Sequence, residues 1–199
     1  MTNNFSRIIK PHGTNPATIN TPNTTNTSML NHQAIRSLIS NHQLITHYKD
    51  LETQLQPTGF DLTLHHIETY TGPGTADYTN RERTIAPTAA LEPDPQGWYN
   101  LPPGAYKVVY NETVSMPHDI AAIARTRSTL LRNGAAIATA VWDPGYTGRS
   151  SSLLTVHNPH GTRLKQDARI AQLIFFKTDQ VEKPYDGIYQ NERNDPSPP

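Results

Sequence analysis

Short apolar runs separated by turn residues make up most of this 199-residue chain. After the turn at Pro57-Thr58-Gly59, apolar and polar residues alternate as far as Leu64, which is typical of a strand. Residues 105–110 are rich in β-branched and aromatic side chains, and residues 135–142 and 169–176 form further strand-like runs. No sustained helical repeat interrupts this series. The pattern predicts an all-β sandwich or jelly roll rather than a parallel α/β sheet.

One helical pattern precedes the strands. Ile35, Leu38 and Ile39 recur at helical spacing on one face, and Asn31 stands where a capping side chain would begin the helix. The pattern ends near residues 41–43, which are polar. The sequence therefore predicts a short N-terminal helix with a packing role.

The two ends of the chain differ from the middle in composition. Residues 1–28 are rich in Asn and Thr and show no apolar periodicity, so we expect a flexible extension. An alternative is that this extension docks on an oligomer. Residues 29–180 are predicted to form the β domain, and residues 181–199 a C-terminal segment and tail.

Charge and cysteine content exclude several functions. The sequence has 17 Lys and Arg and 17 Asp and Glu, so no overall field favours nucleic acid or an anionic membrane. It has no cysteine, which excludes disulfides and cysteine-bound metals. No apolar run is long enough to span a bilayer. We expect a soluble, cytoplasmic protein.

A cluster of cations and hydroxyls at residues 127–132 suits phosphate binding. Arg127 is followed directly by Ser128 and Thr129, and Arg132 adds a second guanidinium. A guanidinium binds two phosphate oxygens at once, and hydroxyl and backbone donors complete the shell. This cluster predicts a polyphosphate site.

Asp143 is the candidate for acid–base chemistry. It lies between the run at residues 135–142 and a Pro-Gly pair, so a rigid turn should position its carboxylate. A carboxylate near bound phosphate can activate water. An aspartate before Pro-Gly can equally well hydrogen-bond its own turn, and the residues alone leave both interpretations open.

Other polar residues carry weaker signals. Glu112 has no partner at ligand spacing, which favours a structural role over metal binding. His157 and His160 could suggest zinc, but a polar turn is the commoner explanation, and no carboxylate or cysteine partner lies nearby in the sequence. We predict no metal site built from protein ligands alone.

Four segments resemble one family in order along the chain. They read RTRSTLLRNG, WDPGYTGRSSSLLTVHN, RIAQLIFF and YDGIYQ, within a likeness that extends from about Met29 to Gln190. The sequence resembles the dUTPase and dCTP deaminase superfamily, and within it the archaeal-type dUTP diphosphatases. The resemblance implies a distorted jelly roll of the β-clip type and a homotrimer with sites between subunits.

The resemblance also implies roles for particular residues, including water activation by Asp143. The aspartate of the family's first motif corresponds to Asp61, for which we expect a supporting role. The remaining residues are expected to bind substrate, the first five near the phosphates and the last three in a segment that closes over the nucleotide: Arg127, Ser128, Thr129, Arg132, Gln172, Tyr185, Tyr189 and Gln190.

Thr155 separates the two activities of the superfamily. Where dCTP deaminases carry a catalytic glutamate in a Leu-Glu-x-x-Asn context, this chain reads Leu154-Thr155-Val156-His157-Asn158. A threonine hydroxyl is a poor base at neutral pH, so the position is kept as a substrate-binding candidate only.

The expected function is therefore Mg²⁺-assisted hydrolysis of dUTP to dUMP and pyrophosphate. A dCTP deaminase and a non-catalytic nucleotide-binding homologue are the alternatives. The residues that select uracil are not evident, because the family binds the base largely through backbone near residues 138–142. Phe60 or Tyr146 is a candidate for stacking on the base or sugar, with core packing the alternative for each.

Overall fold

A computed structural model describes residues 28–193, so the predicted extension lies outside the described residues except for Ser28, and the last six residues lie outside as well. The helices are α1 (His32–His42), α2 (Leu51–Gln54) and α3 (Ser128–Arg132). The strands are β1 (Ile45–Thr46), β2 (Leu55–Gln56), β3 (Gly59–Tyr70), β4 (Thr88–Ala90), β5 (Trp98–Leu101), β6 (Gly104–Tyr110), β7 (Thr113–Ser115), β8 (Ile120–Thr126), β9 (Ala135–Ala138), β10 (Thr147–Gly148), β11 (Ser151–Val156), β12 (Thr162–Lys165) and β13 (Arg169–Lys177).

The long strand β3 joins two parts of the main antiparallel sheet. Its first half pairs with β13, with Gln172 opposite Asp61. Its second half pairs with β6, with Glu68 opposite Lys107. The order of the strands is β8-β13-β3-β6-β11-β9, and both pairings of β3 contain a register shift that bends the strand. The bend lets one strand contribute to two layers, and the predicted all-β jelly roll is confirmed.

The core lies between these layers and beneath α1. Phe60, Tyr110 and Phe175 are fully buried within it, and Ile35 and Ile39 attach α1 to the same core. Apolar side chains on one face of each strand account for this packing, because burial of that face is the main favourable contribution to folding. Among residues 28–193, no helix is long and apolar enough to cross a membrane.

The predicted helix is confirmed, and one predicted strand proves shorter. Asn31 caps α1 by accepting a hydrogen bond from the Ala34 N–H at 3.0 Å. The run at 135–142 pairs with β11 only as far as Ala138. The chain then leaves β11, and Trp142 forms an isolated bridge with Ala122 of β8 instead. This departure frees the segment before Asp143 to form a cavity wall.

Glu112 has the structural role that its sequence context favoured. Its carboxylate is fully buried and accepts hydrogen bonds from the Thr63 N–H at 2.9 Å and the Thr63 hydroxyl at 2.6 Å. The Gln54 side-chain amide donates a third at 2.7 Å. Burial raises the pKa of Glu112, and the hydrogen bonds oppose that rise. The carboxylate thus ties α2 to β3.

We expect Glu112→Ala to lower the free energy of unfolding by about 3 kcal/mol or more, because each buried donor left unpaired costs about 1–3 kcal/mol. Since the folded-state pKa exceeds the unfolded one, the stability linked to this carboxyl is full below the unfolded pKa. That stability is lost as pH rises through the folded pKa, and the substitution removes this dependence. Urea unfolding at several pH values measures both effects.

The matched control is Glu52→Ala, which removes an exposed carboxylate paired with Arg36 at 2.7 Å. An exposed pair of this kind contributes about 1 kcal/mol or less. Equal losses for the two substitutions would contradict a structural role for Glu112.

Candidate active site

A cavity of about 890 Å³ opens beside the Asp143 turn. Its walls come from the connection between β3 and β4, the strands β6 and β11, the segment between β9 and β10, and residues 185–192. Asp143, Tyr146, Tyr185 and Tyr189 all line it. The cavity therefore brings together the predicted water-activating residue and two residues of the predicted closing segment.

The backbone around Asp143 is held on both sides. The Trp142 indole N–H donates to the Ser150 hydroxyl at 2.9 Å, and the Tyr146 N–H donates to the Asp143 carbonyl at 3.1 Å. Gly145 completes the turn at a φ of 89°, a conformation that favours glycine. The Asp143 side chain is exposed and makes no hydrogen bond or ion pair within residues 28–193. The carboxylate does not cap its own turn, and Asp143 lines the cavity.

The C-terminal segment packs against this turn in the same chain. The Tyr185 N–H donates to the Pro144 carbonyl at 2.8 Å, and its ring meets the Tyr146 ring edge-on at 5.6 Å. The Gln190 side chain accepts from the Thr147 N–H at 2.9 Å. Tyr185 and Gln190 therefore fix the segment to the turn, while Tyr189 is partly exposed at the cavity.

Glu192 is a second carboxylate at the cavity, and sequence analysis did not identify it. The Tyr146 hydroxyl donates to its Oε1 atom at 2.8 Å. Burial and the nearby Glu192 carboxylate raise the pKa of Tyr146, so the phenol stays protonated at neutral pH. Tyr146 thus has a cavity position, whereas Phe60 is fully buried against Tyr48 and cannot stack on a ligand.

A second cluster surrounds Asp61. The Arg127 Nε atom lies 3.1 Å from the Asp61 Oδ2 atom, and the Arg169 Nη1 atom lies 3.2 Å from the same oxygen. Burial raises the pKa of Asp61, and the two guanidinium groups oppose that rise. Gln172 is the register partner of Asp61 on β13. Asp61 therefore positions Arg127 at the start of α3, the supporting role that we expected.

The two clusters lie apart in one chain. Arg127, Ser128, Thr129 and Arg132 do not line the cavity. Arg127 follows the end of β8, five residues beyond Ala122, which is bridged to Trp142. At about 3.3 Å per residue of strand, Arg127 and Ala122 are roughly 16 Å apart. A single chain does not place the predicted phosphate ligands beside Asp143.

Two further predicted residues also lie outside the cavity. Gln172 belongs to the Asp61 cluster, and Thr155 is absent from the cavity wall. Leu153, two residues before Thr155 on the same face of β11, lines the wall instead. Lys107 of β6, opposite Leu153, was not predicted either. The alternation of residues along β6 and β11 shows which side chains share a face of the sheet. The sequence alone does not show which of the two faces borders a cavity.

The described residues offer few side chains that could bind a metal ion together. Within residues 28–193, no group of three or more His, Asp or Glu side chains could hold a metal ion. His157 and His160 therefore do not form a zinc site with a third such ligand in this part of the chain. The cavity offers Asp143 and Glu192 as carboxylates.

The fold has a solved counterpart. It is similar to the crystal structure of a 2'-deoxycytidine 5'-triphosphate deaminase from Agrobacterium tumefaciens, with a TM-score of 0.56 and 24% identity. The likeness covers 76% of this chain and 48% of that chain, so this chain spans about half the length of the deaminase. The architecture is thus one that a nucleotide-converting enzyme also adopts.

Residues 29–178 match the dCTP deaminase-like family, and the chain belongs to it. It is 48% identical over 167 residues to a probable deoxyuridine 5'-triphosphate nucleotidohydrolase of Methanosarcina mazei. This alignment covers 83% of this chain and 98% of the relative. A protein of the same name from Archaeoglobus fulgidus is 44% identical over 168 residues, covering 84% and 99%. The predicted family is confirmed.

Proposed function

We propose that this protein is a dUTP diphosphatase, which hydrolyses dUTP to dUMP and pyrophosphate. The observation that carries the proposal is the exposed side chain of Asp143, which lines a cavity large enough for a nucleotide and makes no hydrogen bond within residues 28–193. The archaeal relatives of similar length bear the same activity in their names.

The chemistry follows from the Asp143 turn. The carboxylate accepts a proton from a water molecule as that water attacks phosphorus, and the rigid turn keeps it within reach of the water. The Tyr146 hydroxyl donates to Glu192 and so holds this second carboxylate at the cavity. The guanidinium groups of Arg127 and Arg132 stabilise the negative charge that develops on the phosphoryl oxygens.

Mg²⁺ fits this arrangement as a substrate-bound ion. Magnesium in nucleotide-hydrolysing sites is usually held by one or two carboxylates together with phosphate oxygens and water. Glu192 supplies one such carboxylate at the cavity, which leaves the Asp143 carboxylate for the attacking water. When bound, the ion would neutralise phosphate charge and polarise the phosphoryl group.

The complete site is proposed to lie between subunits of a homotrimer. Among residues 28–193, the cavity of one chain is lined by two carboxylates and one ammonium group, so a triphosphate needs further cations. Arg127, Ser128, Thr129 and Arg132 of a neighbouring copy would supply them. The proposed partners are therefore dUTP and two copies of the same chain, and a cytoplasmic location remains a prediction.

Mixing two inactive variants tests this composite site. Arg127→Ala and Asp143→Asn are each expected to be inactive alone, but co-expressed copies in a trimer form some sites from two intact contributions. With random assembly about a quarter of the sites are complete. We therefore expect about a quarter of wild-type dUTP hydrolysis from purified mixed oligomers, whereas a site within one chain predicts none.

The deaminase alternative has no supporting residue on β11. Leu153 at the cavity wall and Thr155 outside it both lack a group that exchanges protons near pH 7. The test is to incubate the purified protein with Mg²⁺ and either dUTP or dCTP, and to separate the products by chromatography. dUMP and pyrophosphate from dUTP support the proposal, a deoxyuridine product from dCTP supports deamination, and no product from either contradicts both.

A further inference from the structure

A row of side chains crosses the sheet beside the cavity. Strand register places Glu68 of β3 opposite Lys107 of β6, Lys107 opposite Leu153 of β11, and Leu153 opposite Ala138 of β9. Lys107, Leu153 and Ala138 line the cavity, and Glu68 lies behind Lys107. The part of the row that lines the cavity therefore begins at Ala138, in the chain that leads to Asp143, and ends at the ammonium group of Lys107.

Three side chains surround the Glu68 carboxylate. Its Oε1 atom lies 2.8 Å from the His66 Nε2 atom, and its Oε2 atom lies 3.2 Å from the Lys107 ammonium. The Thr88 hydroxyl also donates to Oε2. Burial would raise the pKa of Glu68, but these hydrogen bonds outweigh it and the net pKa is lowered. Glu68 stays ionised and anchors Lys107 without presenting an acceptor to the cavity.

Lys107 is the one cation among the described residues that line the cavity. Its ammonium group carries three donors and no acceptor. The side chain is a quarter exposed and lines the cavity while it is paired with Glu68. A ligand atom at this wall is therefore favoured if it accepts a hydrogen bond and disfavoured if it donates one.

The position of Lys107 suits the base end of a nucleotide. Ser150, which holds the Asp143 turn through Trp142, precedes Leu153 by three residues on the chain. The extended chain from Ser150 to Leu153 lines the cavity over roughly 10 Å, which is comparable with the length of a deoxynucleoside. With the phosphates at Asp143, the distal edge of the base would lie near Lys107.

We propose that Lys107 is a specificity-determining residue that donates a hydrogen bond to the oxygen at C4 of the pyrimidine. Uracil and thymine carry this carbonyl oxygen, whereas cytosine carries an amino donor at the same place. Lys107 thus favours dUTP over dCTP without discriminating dUTP from dTTP. This inference rests on the proposed function, because it assumes that a nucleotide occupies the cavity.

The test compares kcat/KM for dUTP, dCTP and dTTP between wild type and Lys107→Met, a variant of similar length without donors. A site that hydrogen-bonds a substrate group strongly rejects the analogue that cannot pair. We expect the preference for dUTP over dCTP to fall by roughly tenfold or more, and the ratio of dUTP to dTTP to stay unchanged. Lys107→Arg keeps donors and should retain much of the preference.

The matched control is Lys165→Met, because Lys165 lies on β12 over the Trp98 ring and outside the cavity. Glu68 keeps His66 and Thr88 in Lys107→Met, so the variant should unfold at a temperature close to that of wild type. A loss shared equally by dUTP and dCTP would mean a phosphate contact and would overturn the proposal. Unchanged kinetics would overturn it as well.

Calorimetric binding of dUMP and dCMP separates this inference from the proposed function. If wild type turns over no nucleotide but binds dUMP more tightly, and Lys107→Met removes that difference, the diphosphatase assignment fails and the role of Lys107 stands. If wild type hydrolyses dUTP but the dUMP preference does not depend on Lys107, the inference fails alone.

Discussion

Asp143→Asn is expected to lower kcat for dUTP hydrolysis by about 10²- to 10⁴-fold, the range over which a positioned general base accelerates proton transfer. Asparagine has nearly the same shape but cannot accept the proton of the attacking water. Because the Asp143 side chain makes no hydrogen bond within residues 28–193, its replacement removes no contact that holds the turn. KM should therefore change far less than kcat. Steady-state kinetics of pyrophosphate release measure both constants.

Asp119→Asn is the matched control for this substitution. Asp119 pairs with Lys177 at the surface and does not line the cavity. Its replacement should leave kcat within about twofold, since exposed ion pairs contribute little. An Asp143→Asn variant that keeps wild-type kcat would refute the water-activating role and would favour a nucleotide-binding protein.

The fold was predictable where the signal is local. Strand β6 follows from the β-branched and aromatic residues at 106–110, and α1 follows from Asn31 and the spacing of Ile35 and Ile39. The end of β9 was not predictable, because Thr139 to Val141 are no less strand-like than the residues before them. Pairing of Trp142 with β8 decides that boundary, and pairing is a property of the tertiary structure.

The candidate site shows the same limit. Sequence identifies Asp143 and Arg127 as chemically suitable, but their separation by most of β8 depends on the topology. Lys107 and Glu192 belong to no recognisable motif, and they reach the cavity because of strand register and the packing of the C-terminal segment. The chemistry of a motif can be predicted from its residues, whereas the set of segments that share a cavity requires the fold.

The second large effect is expected at Arg127. Its Nε atom is committed to Asp61 and its Nη1 atom lies 3.4 Å from the Arg169 carbonyl, so only part of the guanidinium remains for a phosphate. A lysine has a compact charged centre without the planar fork, so it holds Asp61 and two phosphate oxygens in place less well than an arginine. Arg127→Lys should therefore lower kcat/KM for dUTP by about 10²-fold, although the charge is conserved.

Arg163→Lys provides the control for Arg127→Lys, because Arg163 pairs with Asp94 at 3.2 Å on an exposed surface away from the cavity. Thermal unfolding separates a lost phosphate contact from a weakened Asp61 cluster. If Arg127→Lys unfolds at the same temperature as wild type but loses activity, the guanidinium fork itself binds the phosphate. If it keeps full activity, the phosphate site lies elsewhere, and the Arg127–Asp61 pair serves only to hold α3 against β3.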